Sequence, residues 1–385
     1  MTRNQILLVI IVSVLGVMLV TLPWSSGPIG KGDFIGYWSA SRLLLQGHNP
    51  YDLVALRDLQ FQAYPERGYL IYTWNPPWLL VLLLPLAVLP FQMAVQVWLL
   101  SNLVIIGAAS LWLWRMVDSR TNARSYLVAA LAGVLFPPSL AAIGTGQIVP
   151  AVWLATIAVA ESLWCQRRSG WAGVWFAVML LKPQVTFLAA ALSVWHSLKS
   201  RQWRFIVTSA GTLVFLLIVA TALYPSWLEH YLQNVTAQGV TQWQTPTLGG
   251  LLLWLWPISW LRYVGLLGVA LVPVFARRLN GSTMYAALRL TLALGVALAP
   301  FGWSFDQILL LPMVLQLMRW QQALKTWWLA FGLAVVYAVP LGLRVIEVDE
   351  FLYSWVPWFV LGLYGVTVIM VKRTKREALV LRGDG

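Results

Sequence analysis

The chain has 385 residues, of which 60% are hydrophobic and only 10% charged, with a mean hydropathy of +0.74. A soluble domain carries about a quarter charged residues, so this composition describes a polytopic membrane protein. The single cysteine, Cys165, excludes an internal disulfide and a cysteine-based metal cluster, and His48, His196 and His230 lack any zinc-ligand spacing. The net charge of +13 falls in short basic clusters between apolar runs, the pattern of membrane topology rather than of nucleic-acid binding. No polar segment is long enough for a separate nucleotide-binding domain, and no Gly-rich phosphate loop follows a strand pattern.

In chain order, residues 6–24 form the first apolar run. With Arg3 ahead of it the run resembles a signal peptide, but its length and the absence of a small-x-small cleavage site make it an uncleaved first span. Asp33 follows in Gly32-Asp33-Phe34-Ile35-Gly36-Tyr37-Trp38 and is the first acidic residue of the chain. At the membrane–water boundary, a lone carboxylate among Tyr37, Trp38 and small residues serves either as a general base for a hydroxyl or as a helix cap. A helix is expected over 33–46, carrying Arg42, then a turn at Gly47-His48-Asn49-Pro50 and a helix over 53–63 capped by Asp52. Leu53, Leu56, Leu59, Gln60 and Phe61 give that second helix a stripe suited to the membrane surface. Residues 78–89, short and interrupted by Pro85, read as juxtamembrane or re-entrant.

The remaining expected spans are 91–114, 125–143, 148–164, 171–181, 185–198, 205–223, 260–275, 285–299, 307–318, 327–343 and 354–371. Placing every basic cluster in the cytoplasm, from Arg3 through Arg115, Arg167, Lys199, Arg277 and Arg319 to the tail, requires an even number of crossings between clusters. About twelve crossings satisfy this, with both termini cytoplasmic. The organisation is a single integral-membrane domain over 1–385. Its parts are a first span at 1–24, an outside loop with juxtamembrane helices at 25–90, further spans over 91–371 and a cytoplasmic tail at 372–385. Most of the 24 tryptophans read as interfacial anchors at span ends.

Polar residues inside apolar stretches mark the candidate site. Lys182 in Leu180-Leu181-Lys182-Pro183-Gln184 joins two short apolar halves at the outer face, either to hold a phosphate or to snorkel. Gln147 in Gly144-Thr145-Gly146-Gln147 lies at the same face. Asp306 opens a span there and either caps it or pairs with Lys182 or Arg42. Tyr72, Trp74 and Asn75 stand before the rigid Pro76-Pro77 as the rim of a cavity. His48 and Arg344 are weaker phosphate candidates, and Glu347-Val348-Asp349-Glu350 reads as a solvated loop.

Five strings, in order, carry a family resemblance: GDFIGYWSASRLLLQGHNPYD, NPPWLLVLLLPLAVLP, GQIVPAVWL, GWAGVWFAVMLLKPQVTFL and APFGWSFDQILLLP. Together they resemble glycosyltransferase family 87, multi-pass enzymes of the GT-C fold similar to polyprenyl-phosphate-mannose-dependent mannosyltransferases. The resemblance spans roughly residues 30 to 320 and implies an all-α membrane glycosyltransferase. By motif match, Asp33 is its catalytic base, and Gln147, Lys182 and Gln184 line the donor pocket. Where mannosyltransferase members carry histidines, this chain has Phe305 and Asp306, so the sugar is left open between mannose and another hexose or pentose.

The implied reaction moves the sugar, with inversion, from a polyprenyl-phosphate donor to a hydroxyl of a lipid or glycan acceptor outside the cell membrane. Lys182 stabilises the departing phosphate, with Arg42 or Arg344 assisting. No acidic neighbour accompanies Asp33, so neither metal nor other cofactor is expected; the expected partners are membrane lipids and no nucleic acid, and the expected state is a monomer. The alternative is a transporter or flippase of a lipid-linked or small polar solute, for which an intramembrane Lys and Asp also serve.

Overall fold

The computed structural model describes residues 32–65, 68–117, 122–166, 168–237, 243–277 and 284–381. The expected first span at 6–24, and Arg3 with it, lie outside these residues. Every regular element described is helical. Among the described residues, five helices are long and apolar enough to cross a membrane: Phe91–Val117, Trp203–Leu223, Ser259–Arg277, Trp327–Val345 and Glu350–Arg373. A sixth unit, Ala123–Val134 with Pro137–Thr145, bends by 57°. The bend sits at Pro137-Pro138, where the rings cannot continue the preceding helix.

Shorter apolar helices complete the bundle. The break expected at Lys182-Pro183 is present: one helix covers Ser169–Met179 and the next Pro183–Lys199. Eleven residues rise only about 16 Å, less than a bilayer's hydrocarbon core, so the first of these is short for a crossing by itself. Pro183 removes the backbone donor that would have met the Met179 carbonyl. Thr186 compensates, its hydroxyl lying 3.3 Å from Met179 O and 3.1 Å from Lys182 O.

The loop after Asp33 folds as its local sequence requires. The first helix runs Phe34–Leu45 and the second Leu53–Ala63, the latter capped by Asp52, whose carboxylate accepts from the amides of Val54 at 2.9 Å and Ala55 at 3.3 Å. The stripe on the second helix does not face a membrane surface throughout. Leu56 is fully buried, and Gln60 turns inward to donate to Ser39 Oγ and Ile71 O while accepting from the Ile71 amide. A polar side chain that satisfies a neighbouring backbone strand of loop is better placed inside than at the interface. Residues 78–89 form two short helices, Pro77–Leu82 and Leu84–Ala87, neither long enough to cross.

A compact apolar cluster locks this loop to the spans. Phe34 stacks on Trp98 at 5.1 Å between ring centres, and Leu79, Phe91, Ile148 and Leu181 are buried with them. Ile148 adjoins Gln147 and Leu181 adjoins Lys182, so the packing that anchors the Asp33 helix also anchors both of the other segments.

Candidate active site

Asp33 begins its helix without capping it. Its carboxylate makes no capping bond to the helix amides and instead accepts a hydrogen bond from the Gln147 amide nitrogen. The backbone contributes too, because the Asp33 amide donates to Thr145 O at 2.7 Å. Gly32 makes that approach possible: a Cβ there would collide with the Thr145 carbonyl. On the other strand of the contact, the Pro137–Thr145 helix closes at Gly146 in the left-handed conformation (φ 70°), and the Gln147 amide returns to Ala142 O at 2.8 Å. Gly144-Thr145-Gly146-Gln147 is thus a helix end. Trp98 Nε1 donates to Gly146 O at 2.8 Å and Asn102 to Gln147 O at 3.2 Å, which pins the turn.

The orientation of the Gln147 amide follows from its neighbours. Lys182 Nζ lies 3.0 Å from Gln147 Oε1, and an ammonium can only donate. Tyr37 OH donates to the same oxygen at 3.1 Å. The amide nitrogen must then face Asp33, whose carboxylate can only accept. Burial first, then the Asp33 and Asp306 carboxylates, push the Tyr37 phenol well above the usual tyrosine range, which keeps its proton available for Gln147.

Lys182 also pairs with Asp306, 2.7 Å away, with side-chain exposures of 8% and 0%. The third direction of the ammonium is filled by the Phe305 ring, 4.5 Å from Nζ to the ring centre. Asp306 uses its second oxygen to cap Trp303 N at 3.0 Å. Both options left open for Asp306 are therefore realised at once, with Lys182 as the ion-pair partner and not Arg42. Asp33 is the accessible carboxylate of the pair: it is half-buried, whereas Asp306 is sealed and committed on both oxygens.

Other expected site residues lie apart from this cluster. Trp38 donates to Leu89 O at 3.1 Å and packs on Phe91; Arg42 donates to Ala87 O at 2.7 Å and lies over the Trp38 ring. Gln184 is half-buried just beyond Lys182. Asn75 accepts from Tyr51 OH at 3.4 Å through its backbone carbonyl, and His48 is exposed in its turn. Arg344 is half-buried behind the Gly144 turn. Glu350 departs from its expected place in a solvated loop: its carboxylate accepts from Ser304 N at 2.7 Å and Ser304 Oγ at 2.9 Å. Two strong donors on one residue draw the carboxylate inward, while Glu347 and Asp349 stay exposed.

The sequence offered no local signal for a run of aromatic rings leading to Lys182. Trp74 meets Trp243 at 5.0 Å, Trp243 meets Trp303 at 5.3 Å, and Trp303 stacks on Phe305 at 6.0 Å. The sequence-level hints were that Trp74 reads as part of a cavity rim and that Trp303 lies three residues before Asp306. Among the described residues, no three His, Cys, Asp or Glu side chains gather as a metal site.

Among the described residues, an all-helical protein with several helices apolar enough to cross a membrane thus holds a half-buried carboxylate hydrogen-bonded to a buried amide–ammonium–carboxylate chain. The model of glycosyltransferase family 87 matches residues 72–301, and the chain belongs to that family. The matched stretch contains Gln147 and Lys182, while Asp33 and Asp306 flank it. No curated protein and no solved structure matches the chain.

Proposed function

We propose that this glycosyltransferase moves a sugar from a polyprenyl-phosphate donor to an acceptor hydroxyl at the outer membrane face, with inversion, and that Asp33 is its general base. The observation that carries the reading is the hydrogen bond between the half-buried Asp33 carboxylate and Gln147, which fixes the one accessible carboxylate of the cluster. The acceptor O–H gives its proton to Asp33 as its oxygen attacks the anomeric carbon. The bond from that carbon to the phosphate oxygen breaks on the opposite side, and polyprenyl phosphate leaves with the electron pair. General-base assistance of this kind contributes roughly a hundredfold to ten-thousandfold.

Lys182 supplies positive charge to the leaving phosphate. In the arrangement described, all three of its N–H directions are engaged, by Gln147, Asp306 and Phe305. Of these, the neutral Gln147 oxygen is a weaker acceptor than a phosphate oxygen, so it is the partner that exchanges when the donor enters. The aromatic run from Trp74 to Phe305 offers apolar faces to the sugar and to the first isoprene units. About twelve crossings, with both termini cytoplasmic, place Asp33 on the outer side.

The test is turnover. Purified protein in liposomes receives polyprenyl-phosphate mannose, or another polyprenyl-phosphate sugar, together with a lipid or glycan acceptor extract. Release of polyprenyl phosphate that requires the acceptor and is lost in Asp33→Asn supports the proposal. No release from any such donor, with folded protein, rejects it in favour of transport.

A further inference from the structure

The helices that begin beside Gln147 and Lys182 end at a second feature. The Val149–Ala160 helix continues through the π-turn Glu161–Cys165, and the Lys182 helix spans 17 residues to Lys199. At 1.5 Å per residue this is about 25 Å, close to the thickness of a hydrocarbon core, so their far ends stand on the opposite membrane face from Asp33. Between them opens a cavity of about 640 Å³, whose lining includes Trp164, Ser169, His196, Arg201, Gln202 and Arg204.

Three independent features give this cavity an anion's chemistry. The first is backbone. The Ser169–Met179 and Trp203–Leu223 helices both start at it, and neither start carries a side-chain cap. They lie close together because Gly173 has no Cβ, which would collide with Thr208 and the Phe205 carbonyl. Two uncapped starts bring two sets of N–H groups without intrahelical partners, and two positive dipole ends, to one place.

The second feature is charge. Arg204 lies in the first turn of one helix, and Arg201 closes the Lys182 helix in the left-handed conformation with φ 52°. Glycine is the usual occupant of such a position, so an arginine there bears backbone strain while delivering a cation to the cavity. The neighbouring carboxylate of Glu161 is engaged by Tyr285 OH at 2.6 Å and by Gln166 at 3.1 Å.

The third is unmet polarity. Trp164 is 8% exposed, and its indole N–H has no hydrogen-bond partner among the described residues. Gln202 Oε1 is likewise buried without a partner, while its nitrogen lies 3.4 Å from His196 Nε2. Turning that amide over would set Oε1 against a His196 N–H and aim the NH₂ at the cavity. Buried donors without partners are costly, and an anion would satisfy them.

We propose that this cavity binds a phosphate group, presented by an anionic phospholipid headgroup or free in solution, on the membrane face opposite to Asp33. Basic pockets between helices on the cytoplasmic side are suited to such headgroups. The cavity is separate from the transfer site, so it stands or falls independently of the reaction proposed above.

The experiment uses the full chain purified in detergent, with native mass spectrometry of added phosphatidylglycerol or phosphatidylcholine and thermal unfolding in inorganic phosphate against chloride at equal ionic strength. Wild type should retain phosphatidylglycerol over phosphatidylcholine, or be stabilised by inorganic phosphate. The first result identifies the lipid as the source, and the second the free anion. Arg201→Gly with Arg204→Gln should lower the effect about tenfold or more, as loss of charge-assisted bonds would. Trp164→Phe, which keeps an aromatic ring of smaller size and removes the N–H, should lower it several-fold. Arg201→Gly relieves the left-handed strain, so this variant is expected to remain folded. Equal retention of both lipids without a phosphate effect, or unchanged binding in these variants, overturns the proposal.

Discussion

Asp33 and Gln147, 114 residues apart, meet through a hydrogen bond from amide to carboxylate that leaves the helix following Asp33 without a side-chain cap. The carboxylate therefore does not cap the helix that its position would have suggested, and the isosteric Asp33→Asn tests its chemistry.

Asp33→Asn keeps the side-chain shape and can still accept a bond from Gln147, so the melting temperature should stay close to wild type. Transfer should fall roughly a hundredfold to ten-thousandfold, the contribution of a general base. Polyprenyl-phosphate release by the purified variant measures it; activity within a few-fold of wild type removes Asp33 from the mechanism.

Gln147→Glu is nearly isosteric but sets a carboxylate between Asp33 and Lys182. The new charge keeps Lys182 as partner and repels Asp33, so protonation of Asp33 becomes easier. The acid limb of the pH–rate profile should move to higher pH, and the rate at neutral pH should drop by on the order of tenfold or more. An unmoved limb would show that the two side chains are not coupled in the working enzyme.

Lys182→Met leaves Asp306 charged, fully buried and without its cation. Breaking a buried pair in this way costs about 3–5 kcal/mol. Adding Asp306→Asn should recover most of that stability, since Asn can still cap Trp303 N, while transfer remains low. Thermal unfolding and turnover, measured on both variants, separate the two effects. Recovery of activity together with stability would make Lys182 purely structural.

Gly32→Ala places a methyl against the Thr145 carbonyl, where backbone and not a flexible side chain must yield. The Asp33 amide would lose its bond to Thr145 O, and the carboxylate would shift from Gln147. A rate loss exceeding tenfold is expected, because displacements near 1 Å at a reacting group can cost a hundredfold. Wild-type turnover in this variant would mean the loop tolerates the shift.

Topology can be checked by labelling single cysteines in a Cys165→Ser background. Gln233→Cys is exposed in the Trp227–Ala237 helix and should react only from outside; Ser200→Cys, among the basic residues at the far end, should react only from the cytoplasm. Asn234 is unsuited to this purpose, being buried and bonded to Thr73 O at 2.8 Å. Reaction of Ser200→Cys from outside would invert the assignment of the faces.

The sequence by itself determined what local physics controls. Composition defined a membrane protein, Asp52 and the residues after it specified a capped helix over Leu53–Ala63, and Pro183 required the break at Lys182. The ordered motifs pointed to the family and to Asp33, Gln147, Lys182 and Gln184, while the polar residues within apolar stretches added Asp306. Tertiary structure alone decided which of them meet. The Lys182–Asp306 pair joins positions 124 apart, and the choice between Lys182 and Arg42 as partner depended on the packing of separate helices. The inward turn of Glu350 and the ring run from Trp74 to Phe305 likewise involve partners that no local pattern encodes. Helix propensity and hydrophobic period act over a few residues, whereas a buried polar group takes whichever partner the close-packed bundle brings within hydrogen-bonding distance.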